Sequence, residues 1–156
     1  VLDSTYKEYV FTFKNIHPAT DDESLRVNFS SDSGSNYGMT KTSTFFRAYH
    51  NEGGSDTNLQ YLTSKDLAQS TNPQEIAQGI GNDNDQTACG YFHIFNPSST
   101  TFVKNFMSRF NIYEGSNYSI DQHCAGYVNS TSAINAIRFD GLRGNFAGDI
   151  CLYGIL

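Results

Sequence analysis

Between Tyr9 and Phe13 every second side chain is aromatic: Tyr9, Phe11 and Phe13 alternate with Val10, Thr12 and Lys14. A period of two sets all three rings on one face of an extended strand, whereas a helix would turn the middle ring to the opposite side. The same alternation returns in Leu25, Val27 and Phe29, which are interleaved with Arg26, Asn28 and Ser30. It recurs from Ala88, where Cys89, Tyr91, His93 and Phe95 share one parity and Phe92 and Ile94 the other. Thr44 to His50 reads as a strand with Phe46 and Ala48 on one face and Phe45 and Tyr49 on the other. Gln122 to Val128, Ile134 to Asp140 and Ile150 to Leu156 complete the pattern, with turn-forming Gly, Pro, Asn and Ser between the stretches.

Two segments read less simply. Phe102, Phe106 and Phe110 recur every four residues, a helical spacing, but the Thr-Thr start and β-rich neighbours favour a strand over Thr101 to Asn111, paired with the strand before it. Leu59 to Gly81 reads as irregular, with a short strand around Ile76 and at most a turn or two of helix between Thr63 and Gln78, because Pro73 and Gly79 limit anything longer. The final two stretches are expected to form a hairpin that brings Ile137 and Phe139 near Cys151 and Tyr153. Eight or so strands at this spacing predict an all-β, antiparallel β-sandwich of jelly-roll or related type.

Composition supports that reading. Asn, Ser and Thr supply 45 of the 156 residues and Gly 13 more, enough for many polar turns, while 12 Phe and 10 Tyr provide bulky core material. The length suits one domain over residues 1–156. The non-Met start, with a strand close behind it, suggests a segment of a longer chain. Ten basic against 16 acidic residues leave a net charge of −6 with no basic cluster, which disfavours nucleic acid and anionic membranes as partners. No apolar run is long enough to predict membrane insertion. Cys89, Cys124 and Cys151 are odd in number and widely spaced, a pattern of buried free thiols or of one bridge with a thiol left over. The sequons at Asn28, Asn117 and Asn129 carry little weight in a chain so rich in Asn, Ser and Thr.

Catalytic and metal chemistry find weak footing. Asp140 and Asp149 bracket the last turn and could approach one another, but glycoside hydrolysis needs carboxylates roughly 5 to 9.5 Å apart across a bond, and acids flanking a surface turn are ordinarily solubilising. Asp121 and His123, two apart on a strand, share a face, yet no nucleophile accompanies them. Cys89 with His93, and His123 with Cys124, lack the spacing of a zinc site. Asp83-Asn84-Asp85 and Asp21-Asp22-Glu23 offer oxygen ligands but no complete calcium loop. No catalytic, metal or cofactor residue is therefore assigned. Tyr113-Glu-Gly-Ser-Asn-Tyr118, read as a loop, combines aromatic faces with amides, as sugar-binding loops do, and Tyr113, Asn117 and Tyr118 are the candidate ligand-binding residues.

Three stretches together carry a resemblance: Tyr9 to Asp21, Phe95-Asn-Pro-Ser-Ser99, and Ser132 to Phe139 continuing through Gly144-Asn145 to Leu152-Tyr-Gly-Ile155. In order and spacing the chain resembles a β-sandwich domain of tailed-bacteriophage virion proteins, those of marine phages especially; the match fades between about Tyr49 and Gln86. The resemblance implies a jelly-roll or concanavalin-like fold and a place in the virion as a non-enzymatic tail-fibre or surface-decoration domain. The implied partners are other virion proteins; the many aromatic residues and low charge favour further copies in a homo-oligomer, and the Tyr-, Asn- and Ser-containing loops a neutral host-surface glycan. A polysaccharide-degrading domain on a phage fibre is the alternative. The resemblance brings no catalytic motif, and fold alone does not set function.

Overall fold

Each alternating stretch becomes a strand in the computed structural model, which describes residues 2–156. In chain order the strands are β1 (Glu8–Pro18), β2 (Glu23–Ser30), β3 (Lys41–Asn51), β4 (Thr57–Tyr61), β5 (Gln74–Ile80), β6 (Ala88–Phe95), β7 (Lys104–Glu114), β8 (Tyr118–Val128), β9 (Ala136–Asp140) and β10 (Phe146–Ile155). Among the described residues the one helical element is a single 3₁₀ turn at Thr63–Lys65, inside the interval where a short helix was expected. The protein is all-β and antiparallel throughout.

Hydrogen bonding divides the strands seven to three. One run follows the order β10–β1–β6–β7–β8–β3–β4 and the other β5–β2–β9, joined only where Ile80 of β5 pairs with Glu114 of β7. The rings show how the runs meet. Phe29 of β2 lies 6.0 Å from Phe92 of β6 and 5.5 Å from Phe106 of β7, while Phe139 of β9 lies 5.0 Å from both Phe11 and Phe13 of β1. The three-stranded run thus faces the inner side of the larger one, an arrangement consistent with a β-sandwich. Glycine makes one of these contacts fit: Gly90 sits between Phe13 and Phe110 in the register, the two rings meet 5.1 Å apart, and a Cβ at Gly90 would stand 2.6 Å from the Phe110 ring.

Several buried polar groups find partners across the layers. Gln122, fully buried on β8, donates to the Gln78 carbonyl at 2.9 Å and accepts from the Gln78 N–H at 2.8 Å, so one side chain replaces a missing rung between the layers. Lys41 of β3 and Lys104 of β7 flank Val128 of β8 in one row, and both are fully buried. The Lys41 ammonium donates to Asn28 Oδ1 at 2.6 Å, the Met39 carbonyl at 2.8 Å and the Thr71 carbonyl at 3.5 Å. Lys104 donates to the carbonyls of Ser130 and Ser132 at 3.0 and 2.6 Å. With no carboxylate among these acceptors, the two ammonium groups staple the loops at this end through neutral oxygens. Burial lowers the pKa of both, that of Lys41 to about 8.

Several expectations are corrected. β9 and β10 do not form a hairpin: β9 pairs with β2, and β10 pairs with β1. Residues 141–145 carry the chain from one layer to the other, held where Arg143 Nε donates to the buried Glu23 at 2.6 Å. Ile137 and Phe139 therefore belong to the layer opposite Cys151 and Tyr153; alternation marks an inward face but does not name the neighbouring strand. The irregular reading of Leu59 onward missed β4, a short and mostly polar edge strand closing a hairpin on β3. Phe102 lies outside β7 and is exposed, whereas Phe106 and Phe110 are buried as expected for a strand.

Candidate functional site

β7 and β8 run in register to their last residues, with Tyr113 opposite Ser119 and Glu114 opposite Tyr118. The stretch read as a Tyr113–Tyr118 loop is thus a tight turn of Gly115, Ser116 and Asn117 between strand ends. Asn117 holds the left-handed backbone this turn requires, with φ 64°. Tyr113 and Tyr118 consequently project from opposite faces of the sheet. This corrects the loop reading and separates the three candidate residues into two settings.

β3 pairs with β8 along its whole length, setting Asn51 opposite Tyr118 and so bringing the β3–β4 turn beside the β7–β8 turn. Three contacts lock the tips. The Tyr113 hydroxyl donates to Glu52 Oε1 at 2.9 Å, the Tyr118 hydroxyl donates to Asp56 Oδ2 at 2.9 Å, and the Glu52 N–H donates to the Asn117 carbonyl at 3.1 Å. Each carboxylate stabilises the neutral phenol that donates to it, and so raises the pKa of Tyr113 and of Tyr118. Asn117 Oδ1 lies 3.2 Å from the Tyr113 hydroxyl.

A cleft opens on each face of this double tip. The outer one, about 330 Å³, has Tyr113, His50, Glu52 and Asn111 in its wall. The inner one, about 200 Å³, is bounded by Arg47, Tyr49, Asp56, Glu114 and Tyr118. In the inner cleft the Tyr49 and Tyr118 rings meet edge to face at 5.6 Å, and the Arg47 guanidinium lies 5.5 Å from the Tyr49 ring centre. Arg47 donates its Nε–H to Gln60 Oε1 at 3.2 Å, and its side chain lines the cleft. Aromatic edges, a guanidinium and carboxylate oxygens within one small cleft can take up a polyhydroxylated ligand by CH contacts and hydrogen bonds.

Arg47, Tyr49, Glu52 and Asp56 escaped the sequence reading. The Gly-, Asn- and Ser-containing stretch after His50 reads as a turn, but its proximity to Tyr113 and Tyr118 follows from the β3–β8 register, which no local pattern announces.

The other candidate groups disperse. Asp140 pairs with Arg138 at 2.8 Å on β9, while Asp149 stands opposite Lys14 on β10, so the two carboxylates belong to different layers. Asp121 and His123 do meet, at 3.3 Å, but Arg109 grips Asp121 through two 2.9 Å hydrogen bonds and holds its carboxyl below the ordinary carboxylate range. The His123 ring stacks on Phe46 at 4.8 Å. His123 and Cys124 point to opposite faces, and His93 pairs with Glu8 at 3.0 Å. All three cysteines are free; burial pushes the Cys124 thiol up to about 12. The Asn28 sequon is inside the fold, its side chain engaged with Lys41. Among the described residues no group of three or more His, Cys, Asp or Glu is placed to hold a metal ion.

Comparison with known proteins returns no match among family models, curated proteins or solved structures.

Proposed function

We propose that this chain is a non-enzymatic structural domain of a tailed-phage virion whose double hairpin tip attaches to a neutral or weakly polar glycan on the host surface. The observation that carries the glycan half is the tip itself: two turns from separate hairpins, tied by Tyr113–Glu52, Tyr118–Asp56 and a main-chain bond, with a cleft on either face. Pre-tied loops lose little entropy when a ligand arrives, so weak contacts suffice. The virion half rests on the sequence resemblance. The acidic residues at the tip and the net charge of −6 argue against an anionic polymer.

Single-site sugar affinity is expected to be low and to gain from display in many copies. The test is binding of a multivalent form of the protein to a glycan array, with Tyr49→Ala, Tyr113→Ala and Tyr118→Ala beside the wild type. Loss of at least tenfold for Tyr49→Ala and Tyr118→Ala supports the inner cleft, and loss for Tyr113→Ala alone moves the site to the outer one. Absence of binding at high valency, or equal binding by all variants, overturns the glycan reading. Mass spectrometry of purified particles tests the virion reading independently.

A further inference from the structure

The three free edges of the sheets are finished in different ways. β4 is five residues long and mostly polar, and β9 is five residues long with an Arg138–Asp140 ion pair. Short and charged edges are how proteins discourage strand-to-strand association. β10 has neither protection: its ten residues, FAGDICLYGI, contain no Lys, Arg or Pro and one acid, Asp149. Phe146, Ile150, Leu152, Tyr153 and Ile155 each keep between 39 and 49% of their surface in water.

The sandwich stops short of this strand. Ile150 and Leu152 stand opposite Phe13 and Phe11 on the inner face, so they extend the buried aromatic rows by one strand. Phe139 of β9 covers Phe11 and Phe13, and β9 is the last strand of its layer. The core is therefore open along β10 beside Ile150 and Leu152, while the Tyr6 ring covers Gly154.

We propose that β10 pairs antiparallel with β10 of a second copy of this chain, about a two-fold axis through Cys151. Self-complementarity selects this partner and this register. With the axis at Cys151, Ile150 meets the partner's Leu152 and Leu152 meets the partner's Ile150, giving one unbroken apolar patch on the inner face. Asp149 then faces the partner's Tyr153, and Gly148 faces the partner's Gly154. An axis at Asp149 would oppose two like charges; one at Ile150 or Leu152 would set a large apolar side chain against glycine. With two-fifths to a half of each side chain exposed, the five apolar side chains leave roughly 450 Å² per copy in water, so two copies offer at most on the order of 900 Å² of side-chain surface, to which the paired main chain adds, against the ~1,000 Å² at which specific interfaces begin. A two-fold axis is also the commonest symmetry of a self-contact. The pair would carry two hairpin tips, though the contact does not depend on what those tips bind.

The test is the solution mass of the full 156-residue chain by light scattering and sedimentation, from low to high micromolar concentration. Wild type is expected to be a dimer. Leu152→Lys, which puts a charge on an already exposed position, is expected to be monomeric with unchanged far-UV circular dichroism and thermal unfolding at least as well defined as wild type. Phe46→Lys, on the outer face of β3, is expected to remain dimeric. In a Cys89→Ser background, mild oxidation with copper phenanthroline should give a Cys151–Cys151 crosslinked dimer, lost in Cys151→Ser. A monomeric wild type, a dimer that survives Leu152→Lys, dissociation by Phe46→Lys, or a dimer that never crosslinks through Cys151 would each overturn the proposal. A monomer that still binds glycan when multimerised artificially would remove this contact and leave the tip function standing.

Discussion

β3, β7 and β8 end in two contrasting ways. At one end, Tyr113 and Tyr118 reach outward and give their protons to Glu52 and Asp56 in the open. At the other, Lys41 and Lys104 are fully buried and give theirs to carbonyl and amide oxygens. The first end joins two turns at little electrostatic cost, because water solvates every group left over. The second joins three loops by burying charge, which binds them firmly but keeps a desolvation penalty in the folded state. The tied, solvated end keeps its polar groups accessible, whereas the stapled end withdraws its charges from water.

The largest expected effect tests the penalty at the lysine end. The Lys41 pKa is about 8 when folded, against a reference value of 10.5. Between these values the unfolded chain holds a proton that the folded chain has released, so stability should rise with pH through this window. Below pH 8 both states hold the proton, and the penalty is present in full. The gain from pH 8 to 10.5 should amount to about 3 kcal/mol. Urea unfolding of wild type and Lys41→Met across that range measures it: the rise should be steeper in wild type than in the variant, which keeps only the contribution of Lys104. A flat difference between the two would mean that the buried ammonium costs nothing.

Midway between the ends, Gln122 ties β8 to Gln78 on β5. Gln122→Ala leaves the Gln78 N–H and carbonyl buried without partners and should cost about 2 to 3 kcal/mol in chemical denaturation. A smaller loss would show that water enters between the layers. At the tip, Tyr118→Phe removes one exposed hydrogen bond and should lower stability by much less than Gln122→Ala does, while weakening any glycan binding that depends on the Asp56 tie. If Tyr118→Phe costs as much as Gln122→Ala, the tip is structural in the way the core is.

Strand existence was legible wherever aromatic or branched residues alternated, as at Tyr9 to Phe13 and Leu25 to Phe29, because a pleated chain with one buried face leaves that period in the sequence. β4 left no such mark: Thr57 to Tyr61 is an edge strand whose side chains are largely solvated, so nothing selects an apolar alternation there. Tyr113, Asn117 and Tyr118 were legible as a chemical mixture at a turn. Their division between two faces was hidden by the length assigned to the loop.

What the residue order determined by itself is local: extended backbone, the inward parity of each strand, the places where Pro and Gly interrupt the chain, and an acidic, Asn- and Ser-rich surface. Apart from β6 and β7, which the sequence already paired as neighbours, tertiary structure decided which strands met. β9 pairs with β2 and β10 with β1, and the apolar inward face of each strand does not by itself name that partner. The same choice set Glu52 and Asp56 beside the two tyrosines, buried two lysines among carbonyls, and left β10 uncovered beyond the last strand of the smaller layer. Alternation is written within a strand by burial of one face, whereas pairing depends on how rings such as Phe139, Phe11 and Phe13 fill the space between layers, and that space exists only once both layers have formed.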